Sequence, residues 1–493
     1  MNITVLPDDR HNQALVRKLH PADWKNPEPT GRYNLVVIGA GPAGLVAAAG
    51  AAGLGAKVAL VERHLMGGDC LNYGCVPSKA LLKAAHRAHQ TGTAPDFAEI
   101  MEGLRQKRND LAGHDSAARF SELGVDVFLG QGRFSGPDTV EVDGRQLRFH
   151  RAVIATGARA ALPPVAGLKE AAPLTNETLF SLEKLPAHLV IIGAGPIGCE
   201  MAQAFRRLGA QVTLVEMADR PLPNEDPDAS AVITEQLRRE GVDLILDARI
   251  EKAGQDNGDK KIILRADGAE RTLTADEILV AAGRSPNLEG LDLETAGVAY
   301  HAKGIEVNDR LQTSNAKIYA AGDICSAWQF THSADAMAKI VLRNALFFGR
   351  SKASALVMPW VTYTSPEVAH VGMTASEAAA QGDKVATFTA RMAEVDRAVL
   401  EEETAGFARV HADRRSGRIL GATLVSAHAG ESIGQMSLAI TAGLKMSDIE
   451  ATIHPYPTQA EIWKRLAGLH LRTRLTPLTA RIFKYFFRLF SRR

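Results

Sequence analysis

Two thiols, Cys70 and Cys75, stand in the segment Gly67-Gly68-Asp69-Cys70-Leu71-Asn72-Tyr73-Gly74-Cys75-Val76-Pro77-Ser78-Lys79. Pro77 and the alanine- and leucine-rich run after it predict a helix starting near Cys75. A thiol at a helix N-terminus has a lowered pKa, so its thiolate persists near neutral pH. Lys79 lies one turn on and on the same face, where it adds a cation beside that thiolate. Zinc binding competes with this redox reading, but no second Cys/His pair stands nearby at ligand spacing. The chain has only four cysteines, too few for a secreted disulfide scaffold. Cys199 and Cys325 lack any comparable context and read as small buried apolar side chains.

A second chemistry comes from two glycine patterns. Gly39, Gly41, Pro42, Ala43 and Gly44 follow an apolar run at residues 35–39, and an alanine-rich helix leads to a strand at 57–61 and Glu62. Gly193, Gly195, Ile197 and Gly198 follow a run at 189–192, and a helix leads to a strand at 211–215 and Glu216. The first glycine of each permits the strand-to-helix turn, the second lets a pyrophosphate approach, and the third lets helix and strand pack. The helix N-terminus then offers N–H groups and a positive dipole end to phosphates. The acids would accept hydrogen bonds from adenosine ribose hydroxyls, and Glu216 would repel a 2′-phosphate. That favours NADH over NADPH, with Arg220 close enough in sequence to soften the preference.

These groups need scaffolds. With 493 residues, the chain is too long for one core. Segments at 152–156 and 317–321 read as strands returning to the first module, which makes the second module an insertion in the first. After about residue 355 the pattern changes to antiparallel strands at 361–364, 408–411 and 420–425, with helices at 431–444 and 459–466. The expected division is an N-terminal arm at 1–32, a first module at 33–158 and 283–354, a second at 159–282, an α+β domain at 355–470, and a cationic amphipathic segment at 471–493. Pro21, Pro27 and Pro29 mark the arm as extended. A net charge of +1 argues against a nucleic-acid binder. Neither a signal peptide nor the roughly 18 apolar residues of a transmembrane helix is found, so the cytoplasm is the expected compartment.

The chain resembles the class I pyridine nucleotide–disulfide oxidoreductases, in their mercuric reductase-like branch, related to dihydrolipoamide dehydrogenase and glutathione reductase. The resemblance runs over about residues 33–466 and rests on the segments 39–44, 68–79, 155–157, 193–200, 283–287, 321–323 and 363–368. It implies an α/β fold of two Rossmann-like domains, the NAD domain inserted in the FAD domain, with a C-terminal α+β dimerisation domain. FAD would be held by Gly39, Gly41, Pro42, Ala43, Gly44, Glu62, Arg63, Gly68, Thr156, Gly157, Gly283, Arg284 and Gly322, with Asp323 on the ribityl chain. The nicotinamide dinucleotide would be held by Gly193, Gly195, Ile197, Gly198 and Glu216. Cys75 would be the charge-transfer thiol under the flavin, Cys70 the outer interchange thiol, and Lys79 would pair with Glu200 near flavin N5. A homodimer would complete each active site from the partner chain.

Two departures from the pattern bear on the acceptor. Dithiol-acting members carry a general acid-base histidine before Pro-Thr and Glu. Aligned on Pro457, Thr458 and Glu461, that position holds Tyr456, a poor base at neutral pH. His454, two residues earlier, is a possible substitute. Mercuric reductases also hold Hg(II) with a C-terminal cysteine pair, and no cysteine follows Cys325. The acceptor thus stays open between a small molecule or disulfide, lipoamide and Hg(II). A redox-sensing subunit docked on a membrane is a further alternative. Ile482, Phe483, Phe486, Phe487 and Phe490 fall on one helical face, accompanied by Arg481, Lys484, Arg488, Arg492 and Arg493. Such a helix suits an anionic membrane surface, unless its phenylalanines pack on the protein's own dimer domain.

Overall fold

The computed structural model describes residues 3–491 apart from Ala94 and Asn257, and forms two units. The first comprises residues Met1–Asp219 and Glu240–Leu356, the second Arg220–Arg239 and Val357–Arg493.

The first unit opens with helix α1 (Arg10–Leu19), which corrects the expectation of an extended arm. The prolines drew that expectation. Asp9 instead caps the helix, accepting bonds from the His11 and Asn12 amides at 3.0 and 2.8 Å. Leu15 and Leu19, four apart on one face, are fully buried in the core below. Burial of this kind contributes about 1.5–3 kcal/mol per side chain, enough to fold the segment onto its neighbours.

The first sheet is built on β1 (Tyr33–Ile38), whose residues 35–38 are a continuous buried apolar run of the kind a parallel strand covered on both faces requires. Helix α2 (Pro42–Gly53) returns the chain to β2 (Val58–Glu62), and helix α3 (Cys75–Thr91) follows. The sheet continues with β3 (Val125–Leu129) beside β2 and β4 (Arg145–Ile154) on the other side of β1. A second sheet begins at β5 (His188–Ile192), helix α4 (Pro196–Arg207) and β6 (Gln211–Val215), and takes in β7 (Asp243–Ile245) and β8 (Glu277–Val280) in the order β7-β6-β5-β8. The chain then rejoins the first sheet. β9 (Ile318–Ala320) pairs with β4, Ile318 opposite Ala152, and helix α5 (Thr331–Leu346) follows. One dinucleotide-type module is therefore inserted into the other.

The second unit is an antiparallel sheet, with β10 (Pro359–Thr362), β11 (Glu367–Gly372), β12 (Val385–Arg391), β13 (Phe407–Asp413) and β14 (Ile419–Ser426) in the order β10-β11-β14-β13-β12. Helices α6 (Ala429–Thr441) and α7 (Ile462–Thr473) cover it, with Trp463 buried between them and the sheet. Helix α8 (Pro477–Phe490) ends the described chain, and Arg492 and Arg493 lie outside the described residues. The segment 220–239 joins this unit through buried polar bonds. Asp226 accepts from the Ala375 amide at 3.0 Å and pairs with Arg409 at 3.2 Å, and the Trp360 indole donates to Glu225 at 2.6 Å.

Candidate active site

The redox segment leaves Gly67 into a single helical turn, Gly68–Asn72, before α3 begins at Cys75 with Gly74 as its N-cap. Asn72, buried, donates to the Met66 and Gly68 carbonyls at 3.1 and 2.9 Å, and buried Arg108 donates to the Asn72 carbonyl at 2.8 Å. These bonds fix the turn that separates the two thiols. Gly68 has φ +60°, and a methyl there would stand 2.5 Å from the Gly41 Cα, so the redox turn and the first glycine loop touch backbone to backbone. A Cβ at Gly44 would meet the Gly39 carbonyl oxygen at 1.8 Å, and one at Gly198 the Gly193 carbonyl oxygen at 1.9 Å. The two loops thus share one packing constraint.

Both cysteines are free thiols in this structure. Cys75 is lowered to about 6, first by the hydrogen bond from the Cys70 thiol, then, against the opposing effect of burial, by Thr331 and by the charge of Lys79. The Cys75 sulfur lies 3.4 Å from the Thr331 hydroxyl. Thr331 begins α5, so the sulfur meets the N-terminal ends of two helices, α3 and α5. The Cys70 thiol is pushed well up by its bond to Cys75 and by burial. The pair is electrostatically divided into one thiolate and one thiol.

Lys79 donates to Glu200 at 2.8 Å, and the Glu200 side chain is only 5% exposed. Lys79 is on α3 and Glu200 on α4, so this ion pair joins the redox helix to the helix that follows the second glycine loop. On the other side, Arg284 pairs with Asp69 at 3.1 Å and Asp323 at 3.4 Å, and donates to the Ala158 carbonyl at 2.8 Å. Asn176 donates to Asp69 at 2.7 Å. Burial raises the Asp323 carboxyl. Thr156 and Asn287 exchange bonds at 3.0 and 2.9 Å, which locks the Thr156–Gly157 turn against the Gly283–Asn287 stretch.

The two acids that end β2 and follow β6 do the same local job. Glu62 accepts from the Ala40 and His64 amides, both at 2.7 Å. Glu216 accepts from the Ala194 and Ala218 amides at 2.6 and 2.9 Å. Each carboxylate therefore pins its glycine loop while keeping lone pairs for a further donor. Burial raises the Glu62 carboxyl. Arg63 is exposed beside it, and Ile197 is exposed at the start of α4.

The first unit thus brings together Cys70, Cys75, Lys79, Glu200, Arg284 and Asp323. Tyr456, His454 and Glu461 belong to the second unit. There Tyr456, an exposed side chain, donates to Asp396 at 2.8 Å, which raises its pKa, and His454 contacts the Thr452 carbonyl at 3.1 Å. Glu461 precedes α7. Cys199 is fully buried and donates to the Ala194 carbonyl, and burial pushes Cys325 up to about 12. Sequence reasoning overlooked Thr331, Asn176 and Arg108, and gave Asp69 no role. Thr331 is 256 residues from Cys75, and no local spacing announces it.

Two family models match the chain: the pyridine nucleotide-disulphide oxidoreductase model over residues 33–338 and the corresponding dimerisation domain over residues 358–467. The mercuric reductase of Bacillus cereus is 36% identical over 88% of this chain and 71% of its own length. The dihydrolipoyl dehydrogenase of Bacillus subtilis is 32% identical over 87% of this chain and 96% of its own. Among solved structures, the Cu(II) complex of the HOCl-induced flavoprotein disulfide reductase RclA from Escherichia coli superposes with a TM-score of 0.82 at 30% identity, covering 89% of this chain and all of that one. The chain belongs to the pyridine nucleotide-disulphide oxidoreductase family, and it is a flavin-dependent enzyme of that class. Its dimerisation domain supports a homodimer.

Proposed function

We propose that this enzyme takes a hydride from NADH and passes the electron pair through a Cys70–Cys75 disulfide to a small acceptor, working as a cytoplasmic homodimer. The observation that carries this reading is the pairing of a lowered Cys75 with a raised Cys70, beside Thr331 and the Lys79–Glu200 ion pair. The net step balances without an added proton. NADH and the disulfide give NAD+, one thiol and one thiolate as the S–S bond breaks. Cys75, stabilised by its donors, is the thiolate. Cys70, which the acceptor would meet, is the thiol.

Residues 33–158 and 283–354 would hold FAD, 159–282 the nicotinamide dinucleotide, and 355–470 the dimer contact. The first loop fits a pyrophosphate. α2 starts at a proline after a glycine N-cap, with no capping side chain and no acid in its first turn, so its N–H groups and dipole face an anion unopposed. Glu62 would take the adenosine ribose and Asp323 the ribityl chain, with Gly68 and Gly322 giving close approach and Arg284 holding Asp323. When bound, FAD supplies hydride acceptance and electron-pair delivery to sulfur. Lys79 would hold a positive charge at the flavin edge, and Glu200 would keep it in place. Glu216 would bind the ribose of NADH.

Tyr456, tied to Asp396 with its pKa raised, is poorly suited to take a proton from a substrate dithiol, which weighs against lipoamide. The absence of cysteines after Cys325 weighs against Hg(II). Several relatives carry the names mercuric reductase and dihydrolipoyl dehydrogenase, and the structural neighbour binds Cu(II), so these acceptors belong in the test. NADH oxidation by the purified holoenzyme should be followed with lipoamide, glutathione disulfide, Hg(II), Cu(II) and quinones. Lipoamide turnover that exceeds every other acceptor would overturn this reading. No turnover with any acceptor, with FAD retained, would favour a redox-sensing subunit instead.

A further inference from the structure

We propose that helix α8 docks the enzyme on the surface of an anionic lipid bilayer. Thr476 caps the helix by accepting from the Thr479 amide, and Pro477 opens it. Its first turn contains no acid, and no residue along it is buried. The Phe486 and Phe490 rings meet at a tilt with 4.5 Å between centroids, and the two residues are 49% and 60% exposed.

The helix is divided by face. Arg481, Lys484 and Arg488 recur at i, i+3 and i+7 and form one cationic stripe. Ile482, Phe486 and Phe490 recur at i, i+4 and i+8 on the opposite side, flanked by Phe483 and Phe487. Among the described residues no helix is long and apolar enough to cross a membrane. With 14 residues, α8 is roughly 21 Å long, shorter than the roughly 30 Å hydrocarbon core. Its geometry is that of a helix lying in the interface, with rings at acyl depth and cations at the headgroups.

Charge selects the occupant. No acid follows Glu461 in the sequence. A second copy of α8 could cover the apolar face but would leave the cationic stripe, which has no carboxylate on the helix, without a counter-charge. An anionic lipid surface supplies both an apolar layer and the counter-charge.

The test uses the intact FAD-loaded protein in cosedimentation with vesicles of phosphatidylcholine containing phosphatidylglycerol, and with vesicles of phosphatidylcholine alone. The intact protein should sediment with the anionic vesicles and far less with the neutral ones. Binding should weaken as salt is raised from about 0.01 to about 0.15 M, where the screening length falls from about 30 to about 8 Å. Phe486→Ser with Phe490→Ser should weaken binding about tenfold or more, with thermal stability, dimer mass and NADH oxidation unchanged. Arg481→Gln with Lys484→Gln and Arg488→Gln should abolish the preference for anionic vesicles. An intact protein that ignores anionic vesicles overturns the proposal. So does a serine variant that dissociates or loses thermal stability, because the face then packs on protein, either a second copy of the chain or its own dimer domain.

Discussion

Replacing Cys70 by alanine removes the largest single influence holding the Cys75 thiolate. A hydrogen bond to a charged group contributes about 1.5–3 kcal/mol. One pKa unit corresponds to about 1.36 kcal/mol, so its loss should raise the Cys75 pKa by about 1–2 units. Cys75 reaches the surface although its sulfur is partly desolvated, and water replaces part of the lost bond, which places the shift at the lower end. From a start near 6, the expected midpoint in Cys70→Ala is about 7. Thr331, 3.4 Å away, Lys79 and the two helix N-termini remain, and they keep it below the free-thiol value of about 8.5. The assay is the pH dependence of alkylation at Cys75 by iodoacetamide, resolved by peptide mapping, in the dithiol form of the wild type and in the variant. A raised pKa means a smaller thiolate fraction at any pH below the midpoint, so the variant should react more slowly at pH 6 and equally at high pH. A variant midpoint at or below the wild-type value would show that Cys70 is not the donor. Thr331→Val should move the midpoint in the same direction by less, because the Thr331 hydroxyl stabilises the Cys75 thiolate less than the Cys70 thiol does.

Asp69→Ala should leave Arg284 and Asn176 each short of a partner and cost about 1–3 kcal/mol in denaturant unfolding. It should also lower the Cys75 pKa further, since the Asp69 charge opposes the thiolate. Glu216→Gln keeps an acceptor for the Ala194 or Ala218 amide but removes the charge. Stopped-flow flavin reduction should then show the NADH-to-NADPH rate ratio falling about tenfold or more, and an unchanged ratio would remove Glu216 from nucleotide selection. Burial pushes Glu225 up from 4.5 to about 7, so the folded state binds that proton more tightly than the unfolded one. Its contribution is full below about pH 4.5 and is lost as pH rises through about 7, about 3 kcal/mol in all. Glu225→Gln, which can still accept from Trp360, should therefore flatten the decline measured by hydrogen exchange in the second unit and be more protected than wild type at pH 8.

Much of this site could be read along the chain because its chemistry is local. Cys75 announces its own helix N-terminus through Pro77. Each glycine loop sits between an apolar parallel strand and an acid at a fixed distance, and the acids repay that spacing by bonding their own loops at Ala40 and Ala194. The return of β4 and β9 to one sheet was legible for the same reason, since buried parallel strands are continuous apolar runs. What escaped is polar and long-range. Arg108 carries no hydrophobic period, yet it is 2% exposed and closes the Asn72 carbonyl. Segment 220–239 follows directly on the second module in sequence, and polar bonds from Glu225, Asp226 and Asp228 to Trp360, Ala375, Arg409 and Thr423 tie it to the second unit. The N-terminal helix escaped for a different reason. Its cap, Asp9, and its anchors, Leu15 and Leu19, are a sufficient helix signature, but three prolines just beyond it dominate the local pattern.

Polar contacts, of which only that of Thr331 escaped the sequence, set direction in the proposed electron path. A thiolate at Cys75 and a thiol at Cys70 require an asymmetry that six residues of local sequence cannot supply, because both thiols have the same intrinsic chemistry. The fold adds to Cys75 the N-terminus of α3 and a lysine held by a glutamate of the second module, beside a threonine from α5 that bonds both sulfurs. The 2.8 Å pair with Glu200 positions the Lys79 ammonium on the side of the thiols, and Lys79 supplies a counter-charge to the nearly buried Glu200 side chain. The pair therefore makes the charge beside the thiols depend on contact between the redox helix and the helix of the nucleotide loop. Glu200→Gln tests that dependence. It should raise the Cys75 midpoint through a less constrained Lys79. If the Cys75 midpoint is the same in Glu200→Gln as in the wild type, Lys79 is positioned by α3 alone and the two modules are not electrostatically linked at this point.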